Sequence, residues 1–266
     1  MVADAGGAGM NWEHVIPWLL GQDYPNTGVA GVPTLLWEHL LYVVVPVLLA
    51  IAIALPVGLW VGHINKGGTF AINVANGGRA IPSLGIIIIA FLAFSAGFIP
   101  VYITLTAMAI PPILTNTYVG VREVDPEIRD AAAGMGLSGW DLLRKVEIPM
   151  ALPVIMAGIR TSAVQVVATA TLAAYIGLGG LGRPIFTGLA IGPQFNPDAR
   201  TLLIVSCVLV AILAIVTEQL LALVERWIVP TGLTRKQQQQ QRGTPPPRTD
   251  ADAGASQKPE QSAVAA

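Results

Sequence analysis

Few residues in this 266-residue chain have the makings of chemistry, and their spacing decides what each could do. Gly177, Gly179, Gly180 and Gly182 stand in the run GLGGLG and satisfy G-x-G-x-x-G. That pattern cradles a dinucleotide pyrophosphate only where it follows a strand and opens a helix. Here it follows an apolar, helix-length stretch, so a pliable loop or a hinge of a gate is the expectation. No G-x-x-x-x-G-K-[ST] phosphate loop occurs, so any nucleotide must be handled by another chain. His14, His39 and His63 lack ligand spacing and read as interfacial histidines, and Cys207 is the single cysteine; neither a metal centre nor an internal disulfide is expected. No Ser-His-Asp or paired-carboxylate set can be assembled, so the chain does not read as an enzyme. What remains are two charges set deep in apolar stretches, Arg160 and Glu218, and one long charged interval, Val124 to Pro153.

The elements that must position these residues are membrane helices. Hydrophobic residues make up 53% of the chain and charged residues 12%, too few to cover a soluble surface. The fold class is therefore all-α and polytopic. Leu40 to Gly62 carries no charge and gives about 34 Å of helix, enough to cross the hydrocarbon. Ala80 to Val121 is also uncharged and too long for one crossing, with a turn at Ser95-Ala96-Gly97-Phe98-Ile99-Pro100. A second span is expected from near Thr69, a third over 101–121, a fourth over 149–176 and a fifth over 200–227. Residues 1–36 form an N-terminal segment, either a loose tail or an interfacial strip anchored by Trp12 and Trp18. Residues 37–228 form the membrane domain. Residues 229–266 hold QQQQQ and PPP and cannot bury a core, so a disordered tail is expected.

Orientation follows from basic residues. None precedes Lys66; Lys66, Arg122, Arg129, Arg144, Lys145, Arg226, Arg235, Lys236 and Arg242 all fall at one end of the five-span arrangement, against Arg183 and Arg200 at the other. The N-terminus is expected outside, and the C-terminus and the Val124 to Pro153 insert inside.

Within the insert, Asp125-Pro126 with Glu127 is a helix start. Ile128, Ala131, Ala132 and Met135 recur at helical spacing. Gly136 suits a left-handed stop, Ser138 a second cap, and Pro149 re-entry into the membrane. Small residues from Ala131 to Gly134 would let another surface approach the backbone.

Asp130-Ala131-Ala132, Gly136 and Val146-Glu147-Ile148-Pro149 resemble the EAA signature of ABC-importer permeases, with Asp130 in place of the usual Glu and Ile148 in place of Leu. The resemblance extends from about Trp37 to Arg226. It is nearest to the glycine betaine, carnitine, choline and proline group, through Ile81-Pro82-Ser83-Leu84, Asn116-Thr117-Tyr118, Gly158-Ile159-Arg160-Thr161 and the glycine run. It implies a cell-membrane permease moving osmoprotectants by alternating access, with Asp125, Asp130, Ala131, Ala132, Gly136 and Pro149 in the loop that couples to an ATPase. It also implies a pair of cytoplasmic ATPase subunits that use the ATP, a second permease subunit, identical or homologous, and an extracytoplasmic solute-binding protein. No cofactor would be bound by this chain and no nucleic acid is expected. A permease for another small solute, such as an amino acid, is the alternative. A secondary transporter would want inverted repeats and buried acidic ligands, which are not evident.

An isolated charge at the depth of Arg160 or Glu218 costs at least ~2.5 kcal/mol, so a partner is expected. The two are expected to pair between the fourth and fifth spans, as a static brace or as a contact that changes with transport state. Arg79 would snorkel to headgroups or line a vestibule, and Tyr102 and Tyr118 form no cage.

Overall fold

The computed structural model describes residues 10–68, 82–94 and 97–229, with Asn73 and Gly77 between them. The expected start of the second span near Thr69, the position of Arg79 and the tail beyond Val229 lie outside the described residues. Helices dominate: α1 (Val15–Leu19), α2 (Val32–Ile64), α3 (Ser83–Phe94), α4 (Ile99–Arg122), α5 (Pro126–Gly134), α6 (Gly139–Leu142), α7 (Ile148–Ala170), α8 (Gly182–Ile191) and α9 (Pro197–Ile228). A π-helical segment, Leu143–Glu147, joins α6 to α7, and a 3-10 segment, Thr171–Ile176, extends α7. Among the described residues the sole strand-like pairing is an isolated bridge between Tyr24 and Val29.

Among the described residues four helical stretches are long and apolar enough to cross a membrane: 32–64, 99–122, 139–176 and 197–228. The shorter apolar helix α3 holds the place of the expected second span. α4 is the centre of the bundle. One of its faces meets α2, where Gly58 and Gly62 lie so close to Thr117 and Val121 that an added Cβ would come within 2.7 Å and 2.8 Å of theirs. This small-xxx-small spacing lets backbones approach where lipid offers no hydrophobic drive. The core runs through Val43, Val47, Ala50 and Ala54 of α2, Leu105, Ala109 and Ile113 of α4, and Ala163, Val166 and Val167 of α7.

Two boundaries differ from expectation. α2 begins at Val32, so Glu38 and His39 lie inside a helix that the sequence starts at Leu40. The charge-free window undercounts the helix because its first turns pack on protein, which tolerates a partnered Glu and His. Further on, α6, the π segment and α7 run without a break through Pro149. A proline ring normally clashes with the carbonyl four residues earlier; the wider π turn before it, closed by Ile148 N–H donating to the Leu143 carbonyl, makes room for the ring.

Over its described part the N-terminal segment is packed on the bundle rather than loose. Trp18 is fully buried with Tyr24, Val29, Leu35, Leu181 and Leu202, while Trp12 is exposed. Trp18 Nε1 donates to the Ala30 carbonyl at 2.8 Å. Asp198, in the first turn of α9, accepts from Asn11 Nδ2 at 2.8 Å and from the Tyr24 hydroxyl at 3.0 Å. Burial, with Asp198 beside it, pushes the Tyr24 phenol above its ordinary range. Asp198→Ala removes both acceptor contacts, at about 1.5–3 kcal/mol for hydrogen bonds to a charged group. Limited proteolysis is expected to cut residues 10–31 at least several-fold faster in that variant, with the bundle intact.

Candidate functional site

The insert forms as its residues dictate. Asp125 caps α5, its Oδ1 accepting from Glu127 N–H at 2.9 Å, and Pro126 opens the first turn. The helix closes through Gly136, at φ +87°, whose N–H donates to the Ala133 carbonyl at 2.9 Å while Leu137 N–H donates to that of Ala132 at 3.3 Å. This paired closure is the Schellman stop, which needs a left-handed residue at its turn. Ser138 then caps α6 by accepting from Asp141 N–H at 3.3 Å. Ala132 faces inward and is buried, whereas Asp130, Ala131, Ala133 and Gly134 are exposed. Met135 and Trp140 stand out at 77% and 67% exposure. A short, doubly capped helix thus offers solvent an apolar surface with very small residues beside it.

What ties this helix to the bundle was not expected from the sequence. Glu147, at 1% exposure, is the anchor. Arg129 of α5 donates from Nη2 to Glu147 Oε1 at 2.7 Å and to the Val121 carbonyl, at the end of α4, at 3.1 Å. His63, in the last turn of α2, donates from Nδ1 to Glu147 Oε2 at 2.7 Å. One buried carboxylate therefore joins the insert helix to α2 directly and, through Arg129, to the end of α4. The available signal was that Glu147 is the sole acidic residue between Asp141 and Asp198, set at the mouth of an apolar span. His63 thus hydrogen-bonds a buried carboxylate. His39 is fully buried within the protein, its Nε2 donating to the Val167 carbonyl at 3.0 Å. Among the described residues no group of three or more His, Cys, Asp or Glu could hold a metal.

The expected Arg160–Glu218 pair is corrected. Arg160 Nη2 donates to Glu225 Oε2 at 2.5 Å. Side chains lean toward the N-terminus of their own helix, and α7 and α9 approach this contact from opposite chain directions. Arg160 therefore leans toward the insert end, and Glu225 leans up to meet it. Glu218, two turns earlier on α9, instead lines a cavity of about 360 Å³ together with Ala157, Arg160, Thr161 and Val164.

The glycine run follows the 3-10 segment, not a strand, as expected of a non-nucleotide loop. It is closely packed from Gly179 to Gly182 and open at Gly177. Gly177 and Gly180 take positive φ of +85° and +79°. Gly180 N–H donates to Glu38 Oε2 at 2.7 Å. A Cβ on Gly179 would collide with the Glu38 carboxylate, and one on Gly182 with the Thr171 carbonyl. Tyr102 is also less isolated than expected, with ring centroids 6.3 Å from both Tyr42 and Phe98.

Comparison with known proteins matches this architecture. Residues 54–230 match the family described as the binding-protein-dependent transport system inner membrane component. The glycine betaine/carnitine/choline transport system permease protein OpuCB of Bacillus subtilis is 39% identical over 74% of this chain and 88% of its own length. The carnitine transport permease protein OpuCB of Listeria monocytogenes is 41% identical over the same shares. The choline transport system permease protein OpuBB of Bacillus subtilis is 37% identical over 75% of this chain and 89% of its own. In fold, the chain superposes on one from the inward-facing MetNI methionine ABC transporter with a TM-score of 0.65 at 23% identity, covering 75% of this chain and 96% of that one. With a capped insert helix carried on a bundle of apolar spans, and a family match over most of that bundle, the chain belongs to the inner-membrane permease components of binding-protein-dependent transport systems.

Proposed function

We propose that this chain is the membrane subunit of an ATP-driven importer for osmoprotectants of the glycine betaine, carnitine and choline kind, and that residues 125–145 seat its ATPase. The observation that carries the reading is the insert: a helix closed at both ends, presenting Ala131, Met135 and Trp140 outward, with its root tied to the spans by Glu147. A surface of that shape suits a helix lying in a partner's groove. The solute class rests on the likeness to the OpuCB and OpuBB permeases.

The assembly has two such membrane subunits, two cytoplasmic ATPase subunits and an extracytoplasmic solute-binding protein, set in the lipid of the cell membrane. Basic residues gather at the insert end, with Lys66, Arg122, Arg129, Arg144 and Lys145, which favours that end inside and the N-terminus outside. ATP binding closes the ATPases, carries the two α5 helices together and tilts the spans outward-open; the binding protein then delivers solute, and hydrolysis resets the site. The Gly177–Gly182 crossing belongs to the outer gate. Each step draws on the different affinity of ATPase and binding protein for the two states.

The docking surface is tested at exposed positions. Ala132 is buried and Gly136 needs its positive φ, so substitutions there would disturb α5 itself. Met135→Asp leaves the helix intact and puts a charge on the apolar surface. Losing one well-packed contact of about 1.4 kcal/mol or more weakens ATPase binding ~10-fold. Co-elution of the ATPase and uptake of glycine betaine are both expected to fall; unchanged co-elution with Met135→Asp and Ala131→Arg would overturn the assignment.

A further inference from the structure

The cavity between α7 and α9 is unaccounted for by docking or gating. It is an open cleft of about 360 Å³ lined by Ala157, Arg160, Thr161 and Val164 of α7 and Glu218 of α9, with Thr161 and Glu218 exposed at its mouth. Small-molecule sites are of this order, about 300–1,000 Å³, mostly apolar with a few placed polar groups. Glu218 lies about 15 Å of helix before Ile228, roughly a third of the way back along α9. Among the described residues it makes no hydrogen bond or ion pair. Arg160 gives Nη2 to Glu225 and still borders the cavity. The face of α7 that turns this way shows Thr161 and Ala168 exposed and Val164 and Gln165 half-buried, so neutral polar and small apolar residues alternate along it. Ionisable residues at such depth face a water-filled path or a partner, not lipid.

Resting on the proposed transport reading, we propose that this cavity is a solute waypoint within the permease, taking the onium head of a small cationic or zwitterionic solute at Glu218. A carboxylate, where the solute has one, lies toward Arg160. The unpartnered carboxylate supplies the charge that an onium group cannot obtain from a hydrogen bond, since a quaternary nitrogen has no proton to donate. Ala157, Thr161 and Val164 give its methyl groups an uncrowded wall.

The test uses the permease assembled with its ATPase in nanodiscs without binding protein, titrated with radiolabelled choline and, separately, glycine betaine. Saturable binding of both is expected, with none of the neutral carbon analogue 3,3-dimethyl-1-butanol. Glu218→Gln should weaken binding by at least ~10-fold, because it removes the one charge facing the onium group. Val164→Trp fills the same space without altering any charge and should do likewise. Co-elution of the ATPase identifies assembled variants; if Glu218→Gln does not assemble, Val164→Trp decides. No saturable binding by the unmodified importer, or unaltered affinity in an assembled variant, overturns the site, as does equal binding of the neutral analogue. Uptake with the binding protein present is measured alongside. Onium uptake that survives loss of the site result sinks the waypoint alone, whereas no onium uptake by a fully assembled importer sinks the solute class of the transport reading.

Discussion

Glu147→Leu is expected to destabilise the importer by about 3 kcal/mol, the cost of breaking a buried pair, and to cut solute uptake several-fold or more while the ATPase still co-elutes. The loss arises because the substitution strands a cation. Arg129 keeps only the Val121 carbonyl, and His63 loses its acceptor. Arg129 retains some contact with solvent, so the cost lies at the low end for such pairs. The informative comparison is the double variant Arg129→Met with Glu147→Leu. It removes both charges, and replacing a whole buried pair by apolar side chains is often neutral for stability. Its thermal midpoint should return toward that of the unmodified protein, yet uptake per ATP hydrolysed should stay low, because α5 is no longer fastened to α2 and α4. A double variant that recovers transport along with stability would reduce the contact to a brace with no part in coupling.

The local chemistry of the insert could be read in the chain because caps are short-range. Asp125, Pro126, Gly136 and Ser138 each act within three or four residues, and all four stand where the spacing puts them. Four of the five expected spans were equally legible, since a charge-free run of sufficient length has one stable fate in lipid. Long-range partners were not. Glu147 meets Arg129 and His63 across 18 and 84 positions, and nothing in a one-dimensional pattern says which of several cations at the same membrane end a buried acid will choose. The choice of Glu225 over Glu218 by Arg160 shows the same limit. Depth along each helix suggested Glu218, but the lean of the side chains, set by chain direction, moved the contact two turns. The start of α2 failed for a different reason. Glu38 and His39 are tolerated inside it because Gly180 N–H and the Val167 carbonyl satisfy them, and those partners lie more than a hundred residues away.

These contacts describe two fastened ends. At the insert end, Glu147 gathers the end of α2, the insert helix and, through Arg129, the end of α4. At the other end, Glu38 of α2 holds the backbone of the glycine run that follows α7. α2 is thus bonded at both ends to segments flanking α7, and about 50 Å of helix separates its termini. If α5 couples to an ATPase as proposed, its displacement would reach the glycine crossing along one helix, interrupted in its bonding at Pro46 and Pro56, rather than through loops. That geometry makes the crossing a place where small steric changes should have large effects.

Gly182→Ala is accordingly expected to lower the thermal midpoint of the purified importer by about 10 °C, corresponding to ~3 kcal/mol or more for a domain of this size. The added Cβ would overlap the Thr171 carbonyl, and backbone cannot rotate away as a side chain can. Relief requires the 3-10 segment to move off α8, which disturbs the neighbouring contact where Gly188 meets the Ala199 carbonyl. Gly177 supplies the control. It has positive φ but open space around its Cβ position, so Gly177→Asn should cost only about 1 kcal/mol, the penalty of the left-handed region softened by asparagine's tolerance of it. Two glycines five residues apart are therefore predicted to differ severalfold in effect, one constrained by contact and the other by dihedral angle. If Gly182→Ala proved as mild as Gly177→Asn, α8 would have slack against Thr171, and the crossing would be a loose hinge of the sort the bare sequence suggests.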